Sequence, residues 1–188
     1  MDKKGTILVI EDHFEEKIGV FKNYLDIEGY EIDVAENLEE ANKKMVDLLK
    51  KNIIDGIILD FSFPISKEDP TRFFNDVPNG VLFFEKFKFQ IQTMQIPVVI
   101  NTTATEEIKT KYLGDLDHLG TPVYNVNHDA NPLAAPTNQL FIKEIFNLFN
   151  NRNKMRNQFT KKPKAWNISG SLVKDSNGNY TYRDNRGG

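Results

Sequence analysis

The 188-residue chain contains no cysteine and a single tryptophan. The missing cysteines exclude disulfides and thiolate metal sites, and they fit a reducing compartment. No apolar run approaches the roughly 20 residues needed to cross a bilayer. The opening segment "MDKKGTILVIED" has a short apolar stretch that ends in acids, which is not a signal-peptide pattern. These absences point to a cytoplasmic protein with no membrane partner. Histidine is also scarce: His13, His118 and His128 are too scattered to propose a metal cluster, and His13 and His128 read as exposed or hydrogen-bonded side chains. What is present is a hydrophobic fraction of 39% with 14 phenylalanines, enough for a sizeable core. The length suits one domain, or one domain with an appendage.

A net charge of −3 hides an asymmetry. Residues 151–188 hold nine Lys/Arg against two acids (+7), leaving 15 bases against 25 acids (−10) in residues 1–150. An acidic domain over 1–150 with a basic extension over 151–188 is therefore expected. The extension "NRNKMRNQFTKKPKAW" lacks a clean period. Beyond it, "SLVK" and "NYTYR" flank an Asn-Gly pair, which predicts a β-hairpin. An isolated hairpin is marginal in water, so it should dock on the domain or on another chain. The charge contrast favours that docking and suggests a homodimer made through the extension. Basic residues beside Phe159 and Trp166 also invite nucleic-acid binding. No helix-turn-helix pattern follows residue 150, however, and that reading ranks well below docking.

Residues 1–150 alternate strand-like and helix-like periods. Strands are predicted at "TILVIED" (6–12), "YEIDVAE" (30–36), "IIDGIILD" (53–60), "IPVVINTT" (96–103) and "TPVYNVN" (121–127). Between them run helical stripes: Phe14, Ile18, Phe21 and Leu25; then Leu38, Ala41, Met45 and Leu48 behind an Asn37 cap; then the Phe-rich "GVLFFEKFKFQI". A short helix in "TEEIKTKYLGDL" and a last one carrying Ile142, Ile145, Phe146 and Phe149 complete the set. Five strands and five helices in alternation predict an α/β fold with a doubly wound, five-stranded parallel sheet. The connection 61–78 is too long for a mere turn, and loops of that size usually serve a function.

In such a sheet, ligands bind beyond the carboxyl ends of the strands. Strand one ends on Glu11-Asp12, strand three on Asp60, strand four on Thr102-Thr103 and strand five on Asn127-His128. Acids and hydroxyls meeting on one rim make an oxygen-rich site suited to Mg²⁺. Each has an ordinary structural use as well. Asp12 with Glu15 forms a capping box, Asp60 can start a loop, and either threonine can end a strand or cap a helix. Their joint occurrence is what singles out the rim.

The same segments resemble the receiver domain of response regulators. "ILVIED" is similar to that family's first strand with its acidic pair, and "DGIILDFSFP" to its phospho-acceptor strand. "NGVLFFEKF" resembles the start of its third helix, and "IPVVINTTA" its fourth strand with the hydroxyl. The resemblance implies a flavodoxin-like sheet of receiver type and a two-component signalling role. Asp60 would be phosphorylated, and Glu11, Asp12, Asp60 and the Ser62 carbonyl would hold Mg²⁺. Thr102, or Thr103 one position on, would contact the phosphoryl oxygen, and Tyr124 would be the aromatic that changes rotamer. A histidine kinase or phosphotransfer protein would be the partner.

Two features depart from the family pattern. Asn127 stands where the strand-five lysine belongs, with His128 where proline follows; Lys67 is a candidate replacement for the lost charge. The loop after Asp60 is about a dozen residues longer than usual, as a lid or a partner-binding surface. The missing lysine supports a second reading, a phosphorylation-independent pseudo-receiver that works as an interaction or dimerisation module. An enzyme is the weaker expectation. A haloacid-dehalogenase-like phosphatase needs a second Asp at position 62, where Ser stands, and a flavodoxin needs a phosphate loop where "EDHFEEK" is acidic.

Overall fold

The computed structural model describes residues 4–17, 19–101, 110–112, 136–160, 170–174 and 180–184. They fall into two compact units, Met1–Arg156 and Asn157–Gly188. Strand β1 (Thr6–Ile10) is buried along its whole length. Its side chains alternate between two cores: Leu8 and Ile10 enter one, Ile7 and Val9 the other. That period of two, apolar on both sides, is what a central parallel strand requires.

Around it, β2 (Glu31–Ala35), β3 (Ile54–Leu59) and β6 (Val98–Ile100) form a parallel sheet in the order β2-β1-β3-β6. On one face, helices α3 (Leu38–Lys51) and α4 (Asn79–Thr93) bring Met45, Leu48, Phe83, Phe84 and Phe87 onto Leu59 and Ile100. On the other face pack α1 (Phe14–Lys17), α2 (Gly19–Glu28) and α5 (Pro136–Thr160), with Phe14, Leu25, Ile145 and Phe149. The expected α/β fold with helices on both faces is thus observed. Four of the five expected strands lie in this sheet. The fifth (121–127), most of the 105–116 helix and Ile18 fall outside the described residues, as do the side chains of Phe21 and Ile142.

Local chemistry explains where α3 begins and ends. Asn37 caps α3, its Oδ1 accepting from the Glu40 amide at 2.9 Å. Glu39 and Glu40 lie in its first turn and Lys50 and Lys51 in its last, the arrangement that opposes the helix dipole. Asn52 ends it with φ +51°, directing its amide to the Leu48 and Leu49 carbonyls.

Where the sequence reads as an aperiodic basic extension, α5 continues without a break to Thr160. The buried stripe Ile145, Phe149 is prolonged by Arg152, Asn153 and Arg156, all buried although polar. Their counterpart is Asp55, fully buried at the start of β3. Arg156 donates to it twice, Nε to Oδ1 at 2.8 Å and Nη2 to Oδ2 at 3.1 Å, and Asn153 Nδ2 donates to Oδ2 at 2.6 Å. Both side chains also donate to the Lys4 carbonyl, each at 2.6 Å. A register shift between Thr6 and Ile7 leaves Asp55 skipped in the β1–β3 ladder, freeing it for this role. Two glycines make room. A Cβ on Gly5 would lie 2.0 Å from Asp55 Oδ2, and one on Gly56 would lie 2.2 Å from the Phe149 ring. With the first unit ending at Arg156, the charge contrast narrows: 18 bases against 25 acids (−7) in 1–156, and six against two (+4) in 157–188.

In the second unit, β7 (Gly170–Lys174) and β8 (Tyr180–Asp184) pair antiparallel, Leu172 opposite Tyr182, as the Asn-Gly signal suggested. Among the described residues no helix is long and apolar enough to cross a membrane.

Candidate metal centre at the carboxyl rim of the sheet

The rim is held by hydrogen bonds that continue the ladders one residue beyond each strand. The Glu11 amide donates to the Ala35 carbonyl (3.0 Å), the Asp60 amide to Ile10 (3.0 Å) and the Asn101 amide to Leu59 (2.9 Å). This stagger brings Glu11, Asp12 and Asp60 together, each with a carboxylate oxygen within 4.8 Å of the others. Among the described residues they form the one group of three His, Asp or Glu side chains able to share a metal ion. Glu11 and Asp60 are buried. At an effective dielectric near 20, two carboxylates at this separation repel by roughly 3 kcal/mol. Positive charge beside such a cluster relieves this repulsion. An all-oxygen, anionic donor set fits a hard divalent cation such as Mg²⁺.

The acids are oriented by backbone donors. Phe61 N–H donates to Asp60 Oδ1 at 2.6 Å and His13 N–H to Glu11 Oε1 at 3.0 Å. The imidazole of His13 lies 3.5 Å from Asp12 and is half exposed. Helix α4 abuts the end of β3 so closely that Gly80 is obligatory. A Cβ there would sit 2.2 Å from the Asp60 carbonyl oxygen and 2.8 Å from Phe61 Cα. A cavity of about 440 Å³ opens beside Asp12, between His13, Phe14 and Lys22 and the Ile32 and Val34 side chains of β2.

The long connection is ordered by its own polar groups. The Pro64 and Ile65 carbonyls accept from the first amides of α3, at Leu38 and Glu39 (2.9 and 3.0 Å). Ser66 Oγ accepts from the amides of Glu68 and Asp69. The Asp69 carboxyl is held below its ordinary pKa by hydrogen bonds from the Thr71 hydroxyl and amide. Asn79, fully buried, draws the loop's start and return together, Nδ2 donating to the Phe63 and Thr71 carbonyls at 2.8 Å each. Strands β4 (Phe73–Phe74) and β5 (Val77–Pro78) close the segment around Asn75 and Asp76, both with positive φ (+49° and +62°), as a tight hairpin needs.

From this loop Arg72 reaches the rim. Its Nη1 donates to the Ser62 carbonyl at 2.6 Å, and its Nη2 forms a short ion pair with Asp12 Oδ2. The sequence offered Lys67 as a candidate replacement for the missing lysine's charge, and the structure does not bring it to the rim. Lys67 is an exposed side chain 3.2 Å from Glu40, a contact that raises its pKa above the ordinary value. Arg72 carried no sequence signal, because 60 residues separate it from Asp12. Of the residues expected at the site, Glu11, Asp12 and Asp60 are brought together, with the Ser62 carbonyl linked to Asp12 through Arg72. Thr102, Thr103, Tyr124, Asn127 and His128 lie outside the described residues.

No protein-family model matches the chain, and no curated protein matches it in sequence. Solved structures do match. A response-regulator receiver domain protein from Methanospirillum hungatei is 17% identical at a TM-score of 0.51, over 82% of this chain and 99% of that one. A two-component response regulator from Clostridium difficile is 20% identical at 0.51, over 78% and 96%. The signal receiver domain of a LuxO-type repressor from Vibrio parahaemolyticus is 16% identical at 0.52, over 83% and 97%. The chain therefore has the fold of response-regulator receiver domains, with its three clustered acids at the carboxyl rim of that fold's sheet.

Proposed function

We propose that the protein is a receiver-type signalling module that accepts a phosphoryl group on Asp60. The observation that carries this reading is the meeting of Glu11, Asp12 and Asp60 at one rim of the parallel sheet. Asp60 is the nucleophile: a carboxylate oxygen attacks phosphorus, the bond to the donor's leaving group breaks, and that group departs with the electron pair. The Phe61 amide on Oδ1 orients the carboxylate for this attack, while Gly80 packs against the Asp60 backbone. Glu11, Asp12 and the Ser62 carbonyl, with Asp60, would hold Mg²⁺. When bound, the ion would offset the negative charge of the acids and of the incoming phosphoryl group.

Thr102, or Thr103 one position on, is the hydroxyl proposed to contact the phosphoryl oxygen, and Tyr124 the aromatic that follows its movement. Asn127, in place of a lysine, gives a hydrogen bond without charge. The donor would be a histidine kinase or phosphotransfer protein in the cytoplasm, and output would pass to protein partners or to a dimer made through residues 157–188.

The test is incubation of the full chain with Mg²⁺ and a small phosphodonor, read by intact mass. Wild type is expected to gain one phosphoryl group and Asp60→Asn none. No gain on wild type would refute phosphorylation and leave a phosphate-independent interaction module.

A further inference from the structure

We infer that Arg72 is a tethered cation that competes with the metal for its own ligands. Two of the groups assigned to Mg²⁺, the Asp12 carboxylate and the Ser62 carbonyl, are engaged by one guanidinium. The side chain does not arrive there by chance collapse. Asn79 clamps the backbone on both sides of its approach: Nδ2 holds the Thr71 carbonyl at 2.8 Å, and the Asn79 amide donates to the Arg72 carbonyl at 3.0 Å. With the backbone fixed, the guanidinium returns across the loop to the rim.

An arginine is always charged and presents a planar fork of donors. In this position it sets a positive charge against the cluster at Asp12. A divalent ion bound to the same oxygens would face that guanidinium at contact range, and like charges there exclude each other. Cation binding and Arg72 docking are therefore alternatives. The next residues in the chain are Phe73 and Phe74, exposed by 39% and 57% in β4. Release of Arg72 frees the entry to this short hairpin, so occupancy of the rim is transmitted to an exposed aromatic pair.

The inference rests on the metal-site reading of Glu11, Asp12, Asp60 and Ser62. Calorimetric titration of the full chain with Mg²⁺ alone separates the two. Arg72→Gln is expected to bind the ion about tenfold more tightly than wild type, because it no longer has to displace a tethered competitor. In wild type, saturating Mg²⁺ is expected to speed amide hydrogen exchange at residues 72–75; this second readout needs no variant. Equal or weaker binding by Arg72→Gln, with unchanged exchange in wild type, overturns the competition and leaves the metal site standing. No binding by either protein at tens of millimolar overturns the metal site, and the competition with it.

Discussion

Arg156 holds Asp55 with two parallel hydrogen bonds, 2.8 and 3.1 Å long, at the opposite end of β3 from Asp60. One strand thus carries two buried carboxylates. The lower one is matched by a guanidinium of the last helix, and the upper one joins two further acids at the rim. The lower pair anchors the helix; the upper cluster is the candidate site.

Breaking the lower pair should be costly. Arg156→Ala leaves Asp55 buried without its main partner, a loss of about 3–5 kcal/mol for a pair of this kind. A chain ending at residue 150 removes Asn153 and Arg156 together and should lose at least as much. Chemical denaturation of both, beside a chain ending at 160, checks this. Equal stability of the 150- and 160-residue chains would contradict the assigned role of the network.

Gly80→Ala places a methyl group against the Asp60 carbonyl and Phe61 Cα. Both are backbone atoms, so α4 must move away from the end of β3. A loss of about 1–3 kcal/mol in stability is expected, with weaker Mg²⁺ binding because the tip that carries Asp60 shifts. Thermal unfolding and a metal titration read the two effects separately.

Asn79→Ala removes the donor shared by the Phe63 and Thr71 carbonyls. Leaving such groups unmatched costs about 1–3 kcal/mol. Hydrogen exchange should rise through residues 63–72 and much less in the sheet. A uniform rise across the sheet would show that Asn79 supports the core rather than the loop.

Tyr30 gives a test at alkaline pH. Burial, then the nearby charges of Asp55 and Glu28, raise its pKa well above the ordinary 10.0. A folded-state pKa raised above the unfolded one contributes stability that is whole below pH 10 and is lost as pH climbs towards the folded value. Wild type should therefore lose stability more steeply between pH 10 and 12 than Tyr30→Phe. At pH 7 the variant should differ only by the hydroxyl's 2.9 Å bond to Asn150. Parallel slopes in the two proteins would contradict the assignment.

The rim was legible in the sequence because strand periodicity locates strand ends, and a parallel sheet puts every carboxyl end on one side. Glu11, Asp12 and Asp60 needed nothing more. Asp55 was not legible, since a carboxylate inside an apolar strand gives no hint of its partner a hundred residues away. Arg152, Asn153 and Arg156 hid for a related reason. They continue the stripe of Ile145 and Phe149 at helical spacing, yet hydrophobic periodicity cannot register polar residues buried by pairing. Lys67 and Arg72 sit in the same loop with the same charge. Only the fold shows that Asn79 turns one inward while Glu40 keeps the other at the surface.

The central claim is that residues 11, 12 and 60 share one cation. Paramagnetic Mn²⁺ titrated into isotope-labelled protein measures this directly. Selective broadening of amide signals at residues 10–13 and 60–62, abolished by Asp60→Asn, is the expected result. Broadening spread over the exposed acids, with residues 11, 12 and 60 unaffected, would contradict it.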